Sequence, residues 1–375
     1  MHIPDNYLSP QTCAVMTAAM LPVWTISVRR IQRELTEENV PIGQKGAVPL
    51  TAAKRLSMLG VAAAFSFLGM MFNIPLPGGT TGHAVGGTLL ALLVGPYGAC
   101  ISISTALLLQ ALLFGDGGIL AFGANCFNMA FVMPFVGYGI YRLIAAAAEK
   151  SEAGSDVKGK IRRRRLTGAA VGSYAGINAA ALCAAIEFGI QPMLFRDAAG
   201  TPSYCPYPLS VSIPAMMAGH LTIFGMAEVV YTIAVYLFLA RTAPSVLYTE
   251  SDVSGSIDRI NKADKSQNGR AGHLGERYGT GILLGLLIVL TPLGLLAEGT
   301  AWGEWGADEI ADSGAGFTPS GMLQGFSFES LLPDYSFGNM PAAAGYVLSA
   351  VLGVSVLLIV FKLLAGGVGR KKKES

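Results

Sequence analysis

The first two residues of the chain carry groups that can chelate a metal ion. Met1 supplies an amine, and His2 supplies its backbone amide nitrogen and the imidazole Nδ1. With one metal, the amine and amide nitrogens close a five-membered ring, and the amide and Nδ1 close a six-membered ring. Planar nitrogen coordination favours Ni(II) or Cu(II). We therefore predict a square metal site with one open corner, although a histidine at this position can also be accidental.

His83 is the candidate for the fourth nitrogen. It ends the segment N-I-P-L-P-G-G-T-T-G-H (73–83), in which prolines end a helix and glycines permit a tight re-entry. The topology given below puts His83 at the outer end of a helix, on the same side as His2. A histidine bonded to loop backbone is the alternative that spacing leaves open. His273, in a polar stretch, is interpreted as a solvated loop residue.

Other polar residues lie inside apolar runs, where hydrocarbon penalises them. We expect them to face the interior of the protein and to pair with one another, and some to orient ligands or line a translocation path. Interhelical packing is the alternative, except that Glu228, near the middle of a helix, suggests a role with a cation or proton. The candidates are Asn73, Gln110, Asn125, Asn128, Glu187, His220 and Glu228.

The elements that must position these residues are membrane helices. Hydrophobic residues make up 52% of the 375 and charged residues 13%, whereas a soluble domain carries about 25% charged residues. This composition excludes an ordinary cytosolic enzyme and a disordered chain. Five scattered cysteines indicate neither a disulfide framework nor a zinc site. No Walker A loop, H-E-x-x-H, G-x-S-x-G or dinucleotide motif is present, so we expect no enzyme and no cofactor, with ATP hydrolysis in a separate subunit.

Apolar runs predict an all-α bundle of about nine transmembrane helices. The third and fourth are short and joined by the turn G-P-Y-G (95–98), with a re-entrant hairpin as the alternative. Glycines 168, 172 and 176 form a ridge that permits close helix packing. The nine candidates are 13–28, 56–74, 82–94, 99–114, 118–147, 166–194, 211–239, 281–296 and 342–364.

The distribution of Lys and Arg predicts the orientation of this bundle. Four segments, namely the loops after the first, fifth and seventh helices and the C-terminal tail, hold 25 of the 26 cations. Because Lys and Arg near helix ends stay cytoplasmic, the N-terminus is predicted outside and the C-terminus inside. The run Arg162–Arg165 is interpreted as a topogenic anchor rather than a nucleic-acid patch.

Three parts follow from these features: a seven-helix unit (1–245), a polar cytoplasmic linker (246–278) and a two-helix unit (279–375) with a basic tail. The outside loop of the last part, 298–341, holds seven acidic residues and no cation. That loop is expected either to raise the local cation concentration or simply to be solvated. Trp302 and Trp305 follow a helix end, as interfacial anchors do.

Four stretches of the first part resemble a known family: M-H-I-P-D-N-Y-L-S-P, N-I-P-L-P-G-G-T-T-G-H-A-V-G-G, L-L-Q-A-L-L-F-G-D-G-G and G-A-N-C-F-N-M-A. They are similar to the CbiM/NikM group, the metal-capturing membrane components of nickel and cobalt energy-coupling-factor transporters. The stretch T-P-L-G-L-L-A-E-G-T-A-W-G-E-W-G resembles the small PDGLE-type (NikN-like) accessory component. The resemblance implies a seven-helix unit and a planar site made by Met1 (amine), His2 (amide and imidazole) and His83. Asn6 replaces the Gly usual in the opening motif, a change expected to affect the turn but not the ligands.

These observations favour the substrate-specific component of an ATP-driven importer in the cell membrane. It would capture Ni(II) or Co(II) as substrate outside and pass it inward, with a transmembrane coupling subunit, cytoplasmic ATPases and the lipid bilayer as partners and no nucleic acid. Planar nitrogen coordination favours nickel. The alternatives are a cobalt importer supplying cobalamin biosynthesis, a membrane metal sensor or assembly protein without transport, and an intramembrane enzyme using Glu228 and His220.

Overall fold

A computed structural model of the chain describes residues 1–37, 52–77, 79–149, 157–243, 246–248 and 270–371. These residues form a polytopic bundle of helices with one small antiparallel sheet, as the composition predicts. In chain order the elements are α1 (Pro10–Glu37), α2 (Ala52–Met70), β1 (Ile74–Leu76), β2 (Thr80–Gly82), α3 (Gly87–Leu109), α4 (Phe122–Asn125), α5 (Met133–Glu149), α6 (Val157–Leu194), α7 (Leu209–Gly219), α8 (Gly225–Thr242), α9 (Arg270–Leu290) and α10 (Ala342–Lys371).

Three π-helical segments lie within the membrane helices. Gln110–Phe114 extends α3, Cys126–Val132 joins α4 to α5, and His220–Phe224 joins α7 to α8. Each segment contains one of the polar residues singled out above. A π-segment shifts the helical phase and is frequent at functional sites. The three segments are therefore places where polar side chains point into the bundle.

Seven helices in the described residues are long and apolar enough to cross a membrane, whereas the apolar runs predict nine. Part of the difference is the segment Gly87–Phe114, which breaks at Gly95 (φ 78°, ψ 162°). Both of its ends lie beside one turn of α2: Ser66 Oγ donates to the Val85 carbonyl over 2.8 Å, and the Phe67 and Phe114 rings are 5.8 Å apart. The chain therefore turns back at Gly95, within the predicted turn. The count of nine and the orientation stay predictions.

Helices α5 and α6 approach closely through glycines. An added Cβ at Gly172 would lie 2.4 Å from the Gly137 carbonyl oxygen, and one at Gly176 would lie 2.6 Å from that of Met133. No side chain larger than hydrogen fits at those distances. The predicted glycine ridge is therefore the contact surface that brings these two helices together.

The bundle has an apolar outside and a polar interior. Val15, Leu143 and Ile282 are 66%, 75% and 64% exposed, which suits contact with lipid. Six of the polar candidates are buried, in agreement with the prediction that they face inward. They are Gln110, Asn125, Asn128, Glu187, His220 and Glu228.

The C-terminal unit packs on the first unit. Helix α10 lies along α2, where the Tyr346 hydroxyl donates to the Met71 carbonyl over 3.2 Å. The connection between α9 and α10, here called the accessory loop (297–341), folds back over the same end of the bundle as the N-terminus. Its Leu332 amide donates to the Leu113 carbonyl over 2.7 Å. The alternative of a merely solvated loop is therefore wrong, because its backbone bonds to the first unit at several positions, among them Trp302, Gly321 and Leu332.

Both tryptophan rings of the C-terminal unit, Trp302 and Trp305, pack on Tyr207, with ring centroids 5.5 and 5.8 Å away, and their role as interfacial anchors stays a prediction. One boundary needs correction. Helix α9 begins at Arg270, so the last nine residues assigned to the linker are helical. Residues 249–269 and the side chain of His273 lie outside the described part, and the division of the chain into three parts stays a prediction.

Candidate metal centre

The N-terminus enters the bundle and is held there by Asn125. Met1 is 7% exposed and His2 is 2% exposed. The Ile3 amide donates to Asn125 Oδ1 over 2.8 Å, and Asn125 Nδ2 donates to the Ile3 carbonyl over 3.1 Å. Because a side-chain amide carries both a donor and an acceptor, Asn125 can pair with the N–H and with the C=O of Ile3, as a neighbouring backbone would. Asn125, predicted as a buried polar candidate, therefore fixes the residue next to His2.

The following turn is fixed by Asp5 and Asn6. The Asp5 carboxylate accepts the amides of Ile119 and Leu120 over 3.0 and 2.7 Å. Asn6 has φ 64°, in the left-handed region that Asn tolerates better than most residues. Its side chain donates to the Phe326 carbonyl over 2.7 Å and accepts from the Phe326 amide over 2.9 Å. The replacement of Gly thus keeps a glycine-like conformation and adds a link to the accessory loop.

His2 and His83, which are 81 positions apart, are brought together. Their ring centroids are 4.8 Å apart with an interplanar angle of 54°. His83 is 7% exposed, and its Nδ1 lies 3.3 Å from the Ala84 carbonyl oxygen. Its Nε2 is buried and has no hydrogen-bond partner among the described residues. An unpartnered buried nitrogen is costly, and a metal ion at this position would satisfy it.

Two carboxylates contact the other three proposed ligand nitrogens. The Met1 amine contacts Glu304, and the His2 amide donates to Glu304 Oε1 over 2.8 Å. The His2 Nδ1 contacts the Asp116 carboxylate, and its Nε2 lies 3.3 Å from the Met70 sulfur. A planar chelate requires Nδ1 to face the amine and amide, so the imidazole must leave this Asp116 contact when it binds a metal.

Asp116 is held by two further groups. The Tyr335 hydroxyl donates to Oδ2 over 2.5 Å, and Gln110 Nε2 donates to the same oxygen over 3.1 Å. Burial alone would raise the pKa of the Asp116 carboxyl, but the nearby His2 imidazole and the hydrogen bonds from His2 and Tyr335 outweigh it. The pKa therefore lies well below its usual range, and Asp116 is ionised. Gln110, a predicted candidate, acts on His2 through Asp116.

The His83 imidazole is neutral. Burial lowers its pKa well below the ordinary value, and the neighbouring His2 and N-terminal charge lower it further. Metal binding needs the neutral ring because the ligand atom must carry a free lone pair. The surroundings of His83 thus keep it in the form that binds metal.

Glu228 holds the backbone that follows His83. Its Oε2 accepts the amides of Val85 and Gly86 over 2.8 and 3.0 Å. These amides precede α3, and the carboxylate satisfies donors that no intrahelical carbonyl can reach. These contacts support the position of His83, and the predicted role of Glu228 with a cation or proton stays a prediction.

The remaining candidates differ in their relation to the site. Asn128 Nδ2 donates to Glu187 Oε2 over 3.0 Å, which is the interhelical pairing expected for polar groups in a bundle. The His220 Nδ1 lies 2.8 Å from the Met216 carbonyl oxygen. Asn73 is half-buried just before β1. Its side chain makes no hydrogen bond to any of the residues that the structure describes.

Sequence reasoning missed Asp116, Glu304, Tyr335 and Met70. Asp116 belongs to the quoted stretch L-L-Q-A-L-L-F-G-D-G-G, so the signal was available, whereas nothing in the sequence distinguishes Glu304 from six other acidic residues of its loop. Within the described residues no set of three or more His, Cys, Asp or Glu side chains is arranged to hold a metal. A site here would therefore depend on backbone nitrogens as well as imidazoles.

The fold and the arrangement of these residues define a class of protein. It is a polytopic helical membrane protein whose buried N-terminus brings His2 next to His83. A family model described as the cobalt uptake substrate-specific transmembrane region matches residues 2–246, and a PDGLE domain model matches 277–370. The chain belongs to the CbiM family and carries a fused PDGLE domain.

Relatives match almost the whole length of the chain. The probable fused nickel transport protein LarMN of Lactiplantibacillus plantarum is 45% identical, over 96% of this chain and 97% of its own. The fused nickel transport protein NikMN of Rhodobacter capsulatus is 44% identical, over 98% and 97%. A crystal structure of a truncated transition metal transporter is 51% identical, with a TM-score of 0.52, and the match covers 64% of this chain and 98% of that one. The chain is thus a member of a nickel and cobalt transport family.

Proposed function

We propose that this protein is the substrate-specific component of an ATP-driven energy-coupling-factor importer and captures Ni(II) at the extracytoplasmic side of the cell membrane. One observation carries the proposal: the His2 and His83 rings lie 4.8 Å apart beside the N-terminal amine, and the buried His83 Nε2 has no hydrogen-bond partner among the described residues. The names of the relatives support nickel as the substrate.

The chemistry of capture is ligand exchange. The Met1 amine, the His2 amide nitrogen, the His2 Nδ1 and the His83 Nε2 replace water on the ion. The ammonium and the amide each give up a proton to solvent, and the His2 ring moves its proton from Nδ1 to Nε2, so that each of the four nitrogens can donate a lone pair. Glu304 and Asp116 release their contacts with these nitrogens as the four Ni–N bonds form. Planar nitrogen coordination suits Ni(II) better than the other abundant divalent ions except Cu(II).

Transport would require partners. The sequence has no nucleotide-binding motif, so ATP hydrolysis belongs to cytoplasmic ATPase subunits, connected through a transmembrane coupling subunit. The N-terminal segment acts as a chelating plug, held by Asn125 and Asp5. Release of the ion inward then requires reorientation of the bundle by the coupling subunit.

A cobalt importer is the second candidate, because the matching family model is described by cobalt uptake. One relative of the first unit, the cobalt transport protein CbiM of Moorella thermoacetica, is 35% identical over 38% of this chain. Nickel is favoured because the fused relatives that match nearly the full chain are named nickel transport proteins. Competition between the two ions on the purified protein decides between them.

Acetylation of the Met1 amine tests the site, with Ni(II) binding measured by calorimetry. The acetyl group removes the basic terminal amine from the chelate, so high-affinity binding is expected to disappear. His83→Ala should also abolish planar coordination, whereas His273→Ala serves as the matched control. Unchanged affinity and stoichiometry in the acetylated protein would overturn the site.

Transport is tested separately from binding. Uptake of radioactive nickel is measured in cells that express this chain with, and without, the coupling and ATPase subunits of its system. Uptake that depends on those subunits and on His83 is expected. A protein that binds Ni(II) but gives no uptake with any such subunits would instead be a sensor or assembly protein.

A further inference from the structure

We infer that His220 and Glu304 form a loading site, at which the incoming ion is held before it reaches the four planar nitrogens. The inference rests on the proposed function and adds two ligands that the planar site does not use. One comes from the π-segment between α7 and α8, and the other from the accessory loop.

A narrow crevice connects these two residues with the planar site. Its walls include Met1, His83, His220 and Glu304. Its volume is about 20 Å³, on the measure by which one water needs about 10–15 Å³. The crevice has room for one water molecule or one ion at a time and is lined by four groups that can bind a transition metal.

Burial changes along the crevice. The Glu304 side chain is 17% exposed, and Thr80 and Trp302, also in its walls, are half-buried. Met1, His83 and His220 are each only 7% exposed. An ion from solvent therefore meets the Glu304 carboxylate before it meets the amine and the two rings.

The hydrogen bond of His220 prepares it to bind a cation. Its Nδ1 lies 2.8 Å from the Met216 carbonyl, and a carbonyl can only accept, so Nδ1 carries the proton. The lone pair is therefore on Nε2, for which the described residues provide no hydrogen-bond partner. A backbone carbonyl on the far nitrogen is the usual arrangement of a metal-binding histidine.

The π-segment couples this ring to the position of His83. Phe224 ends the segment, and its ring contacts both His220, at 5.3 Å between centroids, and Gly82. An added Cβ at Gly82 would lie 2.7 Å from that ring. The glycine before His83 thus leaves room for the Phe224 ring, which packs on His220 and forms part of the crevice wall.

Glu304 is placed to transfer the ion. Its Oε1 already contacts the Met1 amine and accepts from the His2 amide over 2.8 Å. In the loading step, Glu304 oxygen and His220 Nε2 replace waters of the hydrated ion. In the transfer step, these two bonds break and the remaining waters leave as the four planar Ni–N bonds form. The ammonium and amide protons go to water, and the His2 ring moves its proton from Nδ1 to Nε2. No electron is transferred in either step.

The test separates rates from affinity in the full-length protein. A loading site accelerates association and dissociation equally, so His220→Ala should slow both by about tenfold and leave the equilibrium affinity for Ni(II) and the diamagnetic planar spectrum as in the wild type. Glu304→Ala should also slow association, but its affinity is expected to change because Glu304 contacts the Met1 amine and the His2 amide. His273→Ala and Glu309→Ala are the controls, the latter because Glu309 lies in the same loop and bonds to Thr300.

A second arm detects the site directly. In the protein acetylated at Met1, the planar chelate lacks its basic amine, and His220 and Glu304 should retain weak binding of a paramagnetic, non-planar Ni(II). Adding His220→Ala should abolish that signal, whereas adding His83→Ala should not.

Each result has one meaning. Unchanged rates in both variants would overturn the loading site. Loss of the planar spectrum in His220→Ala would also overturn it, because His220 would then be needed for the planar site. Neither result contradicts planar binding in the wild type. Absence of a planar Ni(II) spectrum in the wild type would instead overturn the proposed function.

Discussion

Glu304 Oε1 accepts a hydrogen bond from the backbone amide of His2 over 2.8 Å, across 302 positions of sequence. Glu304 belongs to the accessory loop, and His2 belongs to the first unit. Beside it, the Trp302 amide donates to Thr80 Oγ1 over 2.8 Å. The two units therefore meet at the candidate metal centre itself, and a change in either one is expected to alter it.

Replacement of Asp116 tests its contact with the His2 imidazole. Asp116→Asn weakens the charge-assisted contact that His2 Nδ1 must leave when it binds a metal, so the affinity for Ni(II) should rise by about tenfold, as expected from the roughly 1.5–3 kcal/mol of such a hydrogen bond. Calorimetry measures the affinity. Asp312→Asn, an exposed acid of the accessory loop, is the control and should bind as the wild type does. Equal affinity in both variants would show that the Asp116 contact does not oppose metal binding by His2.

Two substitutions at Glu228 separate backbone support from charge. Glu228→Ala leaves the buried amides of Val85 and Gly86 without an acceptor, at about 1–3 kcal/mol for each. We expect a lower unfolding temperature in detergent and weaker Ni(II) binding. Glu228→Gln keeps a carbonyl oxygen that can accept both amides, and it should recover most of both properties. If Gln were as damaging as Ala, the negative charge rather than the backbone contact would be the essential feature.

Asn6 offers a test of the link between the two units. Asn6→Gly keeps the left-handed turn but loses both hydrogen bonds to Phe326, so amide exchange at Phe326 should accelerate while the N-terminal turn stays protected. Asn6→Ala also loses the turn preference, at about 1–2 kcal/mol, and exchange should accelerate at both places. Hydrogen exchange with mass spectrometry measures both segments. Slow exchange at Phe326 in Asn6→Gly would show that other contacts hold the loop.

Proton release tests whether the His2 amide is a ligand. An amide nitrogen binds a metal only after losing its proton, and a protonated amine loses one as well. Calorimetry in buffers of different ionisation enthalpy should give one to two protons released per Ni(II). His83→Ala should not remove this release if residual binding is measurable. Binding without proton release would mean that the amide keeps its hydrogen and that the site is not the planar chelate.

Much of the fold follows from the sequence because lipid imposes simple rules. Long apolar runs predicted the helices, and G-P-Y-G predicted the place where the chain turns back at Gly95. Polar residues in hydrocarbon must be buried, and Gln110 and Asn125 are buried. Their partners were not predictable, since Asn125 bonds to the Ile3 backbone rather than to another polar candidate. Burial depends on composition, whereas the choice of partner depends on packing.

The sequence by itself determined which atoms could bind a metal: an N-terminal amine, the amide and ring of His2, and a histidine after a Pro/Gly turn. Chain position and side-chain chemistry suffice for that, because the chelate rings are local. Only the tertiary structure decided that Glu304 and Asp116 contact these nitrogens, and that His220 shares a crevice with them. Such contacts join residues far apart in the chain, and seven acidic residues of the accessory loop are equivalent until helix packing brings one of them to His2.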